Sequence, residues 1–207
     1  WIMAYYDPDD NDQEIVEDTN SLGPGYPFLV INPSYDWDLS LRLQGGLPIN
    51  DNEFLPNLTR MRANTFLSLI HGSSGLCWWW YGDDRREYVS VGDTPVAWGW
   101  LTQVVAEVTE LLPFINGSGQ DLELELQNDS PLTVPRARAI KSGSLITIIA
   151  VNTSASDEAH ITIKSPQFPS QATASGKFDT PSNLVSNHEM RVVMPPLAAY
   201  VYEVKAD

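Results

Sequence analysis

The sequence predicts an α/β segment followed by an all-β segment, the second a small antiparallel β-sandwich. Helical and strand periodicities alternate over residues 1–117, whereas period-two alternation dominates residues 118–207. Between them, Ile115 to Gln120 carries Asn116, Gly117 and Gly119, a composition that suits a hinge.

Ile2 to Tyr6 reads as a short buried strand, and the acidic run Asp7, Asp9, Asp10, Asp12 follows it. Asp12 to Asn20 reads as a short, irregular helix. Pro27 to Asn32, between Gly25 and Pro33, reads as a second strand. Leu58 to Ile70 places Leu58, Met61, Thr65, Phe66 and Leu69 near one helical face, with Gly72 supplying the stop. The apolar run Leu76 to Tyr81 suits a strand buried on both faces. Thr94-Pro95 is an N-cap with proline at the first helical position, and Val96, Trp100, Val104, Val108 and Leu111 keep helical spacing up to Pro113. Strands leading into loops and helices describe a βα-repeating layer of about three units. After it, alternation in Leu122 to Leu126, Leu145 to Val151, Ala159 to Ile163, Arg191 to Met194 and Ala198 to Val204 predicts the sandwich.

Hydrophobic residues make up 43% and charged residues 19% of the 207, a globular composition, and no apolar stretch reaches membrane-span length. Twenty-seven acidic against twelve basic residues give a formal charge of -15, which repels a phosphate backbone and anionic lipid alike. Nucleic acid and membrane are therefore excluded as expected partners, and a neutral polysaccharide is not. Cys77, the only cysteine, lies in an apolar run and is expected to be a buried thiol. The chain opens at Trp1 without a signal-peptide pattern, so the sequence reads as cut from something longer. Asn57, Asn116, Asn128 and Asn152 stand in N-x-Ser/Thr sequons, which matter only in a glycosylating secretory pathway.

The run Met61-Arg62-Ala63-Asn64-Thr65-Phe66-Leu67-Ser68-Leu69-Ile70-His71-Gly72, followed by Gly75-Leu76-Cys77-Trp78-Trp79-Trp80-Tyr81, resembles the seventh helix and eighth strand of TIM-barrel glycoside hydrolases. Pro27 to Ile31 resembles the preceding strand, Trp1 to Asp7 sits where the sixth would be, and Pro195 to Glu203 is similar to the closing strand of the β-sandwich that often follows such barrels. The resemblance implies the C-terminal part of such an enzyme: a partial (β/α) barrel over residues 1–117, a sandwich over 118–207, and secretion or export to a periplasm.

Sugars present flat apolar faces ringed by hydroxyls, so their sites combine aromatic platforms with Asp, Asn or Glu acceptors. Trp78, Trp79, Trp80 and Tyr81 are four successive aromatics, and the last inward residue of a barrel strand faces the active site. Sequence does not fix the parity, so Trp80, Tyr81 and Trp79 are all saccharide-binding candidates, or all four pack in a core. Tyr6, Asp7 and Asn32 follow or end the other two strands and join the candidate list.

The resemblance implies two catalytic carboxylates from different strand ends. Where one is expected, Asn32-Pro33-Ser34 stands instead. Asp36 and Asp38 follow, as displaced carboxylates or as solvated loop positions. The catalytic acid is thus unassigned, and the segment is expected to be inactive alone. Asp7 to Asp12 alternates oxygen ligands but lacks the turn glycine of a calcium loop, and His71, His160 and His188 show no metal-ligand spacing, so neither metal nor cofactor is expected. His71 reads as a helix C-cap or packing residue.

Two functions follow: a glycoside hydrolase segment contributing part of an oligo- or polysaccharide site, or a non-catalytic carbohydrate-binding or assembly module. The sandwich is poor in tryptophan, its aromatics being Phe168, Phe178, Tyr200 and Tyr202, and reads as a buttress. Three parallel strands cannot close a barrel, so an apolar patch on the inward side (Leu29, Ile31, Trp78, Trp80) predicts a homodimer through that open face, or cover from the sandwich or the loop Tyr35 to Leu55.

Overall fold

A computed structural model describes residues 2–3, 8–22, 29–33, 57–79, 95–117 and 119–206. The chain divides into two compact units, Trp1–Ala106 and Glu107–Asp207.

The described part of the first unit is a parallel sheet of β1 (Ile2–Met3), β2 (Leu29–Pro33) and β3 (Gly75–Trp79), in that spatial order. Helix α1 (Pro8–Leu22) lies between β1 and β2 in the chain, and α2 (Leu58–Ile70) precedes β3. Proline at its first position, and Asp9, Asp10 and Asp12 in its first turns, suit the N-terminal end of α1. This acidic run was expected to be a loop, with a short helix only from Asp12 to Asn20; instead the chain is helical from Pro8 through Leu22. Ile15 on α1 is fully buried against Val30 of β2, and Leu76 of β3 packs on the pair.

Helix α2 has the predicted bounds. Asn57 caps it, its Oδ1 accepting from the Arg60 backbone N–H at 3.0 Å. His71 is its C-cap, and Gly72 follows at φ +80°, a left-handed conformation in which a side chain would be strained. Every residue from Ala63 through Leu69 is buried, so α2 buries far more than one face.

Val30 pairs in register with Leu76, and Ile31 with Cys77. The Val30–Leu76 side is covered by Ile15, whereas Cys77, at the alternate position, is exposed. The expectation of a buried thiol on a strand buried on both faces is therefore corrected: β3 is an edge strand among the described residues, and the side carrying Cys77 lacks described cover. Alternation puts Trp78 on Leu76's side, so it does not join Ile31 in an inward patch.

Helix α3 (Pro95–Ile115) runs two residues beyond the expected stop, with Pro113 inside its last turn. Its buried stripe is Ala97, Leu101, Val104, Val108 and Leu111; Val96, expected inside, is 58% exposed.

The second unit holds one hydrogen-bonded antiparallel ladder. Its strands are β4 (Gln120–Asp121), β5 (Glu125–Asn128), β6 (Arg136–Ser142), β7 (Leu145–Val151), β8 (Ala159–Lys164), β9 (Gln171–Lys177), β10 (Asn183–Ser186), β11 (Glu189–Met194) and β12 (Ala199–Lys205). The spatial order is β4-β6-β7-β12-β9-β10-β11-β8-β5. One apolar cluster takes Ile146 and Ile148 from β7, Val204 from β12, Val185 from β10, and Ile161 and Ile163 from β8, so strands near opposite ends of the ladder share a core. A sheet whose ends meet a common core must curl. Thr147, Ile149 and Val151, on the other side of β7, are also at most 1% exposed. Gly176 is required where β9 ends, because a Cβ there would lie 1.9 Å from the Thr180 carbonyl oxygen.

Candidate functional site

Parallel pairing brings the C-terminal ends of β2 and β3 side by side: Asn32 is in register with Trp78, and Pro33 with Trp79. Two of the predicted saccharide residues, Asn32 and Trp79, thus end at the same edge of one sheet, but at alternate register positions, Asn32 with Trp78 and Val30, and Trp79 with Cys77. In a parallel α/β layer this is the edge that carries ligands, because the loops that follow the strands all emerge there. The ring of Trp78 is half-buried, and its Nε1 is buried without an acceptor among the described residues. The remaining candidates, Tyr6, Asp7, Asp36, Asp38, Trp80 and Tyr81, lie outside the described residues.

The helix-to-strand corner below this edge is held by a pair of distant residues. Asp12 Oδ1 and His71 Nε2 are 2.7 Å apart, with the Asp12 side chain only 7% exposed. His71 thus does more than cap α2: it ties the helix to the acidic start of α1. Sequence supplied no signal for that pairing across 59 residues.

No family model and no curated protein matches this chain. Solved structures do, at low identity. An α-amylase from Anoxybacillus, described as representing a new glycosyl hydrolase subclass, superposes with TM-score 0.53 at 14% identity, covering 93% of this chain and 41% of its own. The α-amylase of Geobacillus thermoleovorans in complex with acarbose gives 0.55 at 14% identity, over 87% of this chain and 39% of that one. The protein AmyP in complex with maltotriose gives 0.58 at 13% identity, over 93% and 44%.

The chain has a glycoside hydrolase-related fold. It spans about two fifths of the length of the structures it matches.

The second unit carries a cleft that sequence reasoning missed. It is an open depression of about 390 Å³, lined by Glu123, Glu125, Lys164, Ser165, Asn187 and His188 over Leu124 and Pro166. Asn187 and His188 form the two-residue turn between β10 and β11, at φ 52° and 63°. His188 Nδ1 lies 2.5 Å from the Phe168 carbonyl oxygen, and Lys164 Nζ is 3.3 Å from Glu125. These groups come from three stretches of chain without a spacing motif, so only the ladder's register brings them together. Among the described residues no group of three or more His, Cys, Asp or Glu is placed to share a metal ion.

Beyond the cleft, Lys177 bridges Glu110 and Glu203, the latter at 3.1 Å. Burial works to lower the Lys177 pKa, but the hydrogen bonds and charges of the two carboxylates together hold it above the ordinary lysine value. Burial likewise pushes the Tyr202 phenol far up, with the neighbouring Tyr200 adding to the shift. Burial and then the Glu158 charge raise the Tyr200 phenol.

Proposed function

We propose that this chain is the C-terminal part of a glycoside hydrolase acting on an oligo- or polysaccharide. In this reading residues 1–117 are a partial (β/α) barrel that contributes part of the saccharide site, and residues 118–207 are a β-sandwich that buttresses it. The observation that carries it is the coverage. Nearly all of this chain follows the two α-amylase structures and AmyP, while more than half of each of those structures has no counterpart in it. The parallel edge bearing Asn32 and Trp79, where barrel enzymes place their ligands, supports the assignment of the saccharide site to that end of the sheet.

Trp80, Tyr81, Trp79, Tyr6, Asp7 and Asn32 are proposed as saccharide contacts, with Asp36 or Asp38 the candidates for a displaced carboxylate. The chain alone is proposed to be inactive, because the partner carboxylate of a glycosidase comes from another strand. Acarbose and maltotriose in the matching structures make an α-glucan oligosaccharide the first ligand to try. Export, to a periplasm or outside the cell, fits a polymeric substrate.

A binding isotherm over a panel of oligosaccharides tests the site. Trp80→Ala in the longer protein removes a stacking face, and loss of about 1.4 kcal/mol weakens binding roughly tenfold. Phe178→Ala, in the buttress, leaves affinity unchanged. Equal affinity of the Trp80→Ala protein for every ligand bound by the parent removes Trp80 from the site.

A further inference from the structure

The four sequons differ sharply in the folded chain. Asn116 is exposed, and Asn57 is exposed with its Oδ1 engaged as a helix cap. Asn128 directs its Nδ2 at the Ser130 and Thr133 carbonyl oxygens, at 2.9 and 2.8 Å. Asn152 is entirely buried. Its Nδ2 is 2.8 Å from the Asp157 carbonyl oxygen, 3.1 Å from that of Met194 and 3.0 Å from that of Pro195. Its Oδ1 accepts from the Ser154 backbone N–H at 3.2 Å.

These bonds fasten the end of β7 to the turn that leads into β12. In that turn Leu197 is held at φ 58°, and its N–H donates to the Ser154 carbonyl at 2.9 Å. The Asn152 backbone N–H donates to Ala198 at the same distance. A non-glycine residue at positive φ persists only where its surroundings over-determine it, and Asn152 supplies much of that determination.

N-linked glycosylation transfers an oligosaccharide from a lipid-linked diphosphate to Asn Nδ2. The anomeric carbon–oxygen bond to the diphosphate breaks, a carbon–nitrogen bond forms, one Nδ2 hydrogen leaves as a proton, and lipid diphosphate is released. At Asn152 the product would lose one donor to three carbonyls and would need room for a polar oligosaccharide in a site with none. Transfer acts on the extended chain, before burial could protect the residue. We infer that this chain matures on a route without N-glycosyl transfer, and that Asn152 is a structural fastener whose modification the fold cannot accept. This narrows the export proposed above to a non-glycosylating route. It is independent of the saccharide site, since no sugar ligand enters its test.

The test compares two expression routes. Made in a bacterial host, the chain folds, with a β-rich circular dichroism spectrum. Directed through a yeast secretory pathway, it is retained, and mass spectrometry finds a glycan on the Asn152 peptide of the retained fraction. Ser154→Ala destroys the sequon and leaves Asn152 in place, and its secreted, folded yield rises several-fold. The same variant made in bacteria shows whether Ser154 itself is needed for folding. If it is, blocking lipid-linked oligosaccharide synthesis in the yeast rescues the unaltered chain instead. Folded, secreted chain of the unaltered sequence, with Asn152 glycosylated or bare, overturns the inference.

Discussion

Ile148→Ala probes whether the nine strands enclose one core. Ile148 sits in the middle of β7, fully buried, in register with Ala139 of β6 and Tyr202 of β12. Truncation removes three carbons, about 2.4 kcal/mol at roughly 0.8 kcal/mol per methylene. A cavity penalty adds to this because the neighbours cannot close the gap: Ala139 is already small, and Tyr202 is only 1% exposed and hemmed in. The expected loss is therefore about 3 to 4 kcal/mol. With an m-value of about 1 to 1.5 kcal/mol/M for a unit of this size, the urea midpoint of the β-rich transition falls by roughly 2 to 4 M. Leu184→Ala, at a site 68% exposed on β10, is the control and changes stability by no more than about 0.5 kcal/mol. Far-UV circular dichroism during urea titration reads both. A loss below about 1 kcal/mol for Ile148→Ala would refute the shared core, because a strand packed on one loose face could relax around the gap.

Two further outcomes follow from the same structure, and a third from the open-barrel proposal. Lys177→Met costs about 1 kcal/mol at neutral pH, from the bridges to Glu110 and Glu203. The Lys177 pKa is raised on folding, so this stability is fully present below the ordinary value of 10.5 and disappears as pH rises through the folded value; denaturation at several pH values should show the two proteins converging only under strong alkali. Tyr202, whose phenol burial holds neutral, makes the folded state lose stability above its ordinary value of 10.0, and Tyr202→Phe should flatten that alkaline decline in a pH series of melts. If the barrel-derived half is open as proposed, light scattering coupled to size exclusion should find a homodimer or larger assembly; a strict monomer at high micromolar concentration that binds no hydrophobic dye would contradict that proposal.

Much of this architecture was legible because burial follows period. The bounds of α2 were readable from Met61, Phe66 and Leu69 with Gly72 behind them, and those of β7 from the apolar-rich run Leu145 to Val151. Strands β6, β9 and β10 were not legible. Their sequences, RARAIKS, QATASGK and NLVS, carry few large apolar residues, so although Ala139, Ala174 and Val185 each reach the core, no clear alternation marks them as strands. In α3 the apolar residues run nearly all round, so sequence could not choose the stripe, and the packed one lies a residue away from Val96 and Trp100. Cys77 misled for a related reason: an apolar run says that burial would be favourable, not that a neighbouring element covers both sides. Of the candidate site, the shared strand-end edge of Asn32 and Trp79 followed from the parallel βα order but their alternate positions did not, and the Asp12–His71 pair and the cleft of Glu123 and His188 depend on tertiary register alone.

The saccharide site is tested most directly by titrating the isotopically labelled chain with maltotriose and following its backbone amide resonances. Perturbations should centre on the C-terminal ends of β2 and β3, at Asn32, Trp78 and Trp79, and spread to the residues that follow them in sequence. Perturbations confined to the antiparallel ladder, or none with any oligosaccharide tried at millimolar concentration, would contradict it.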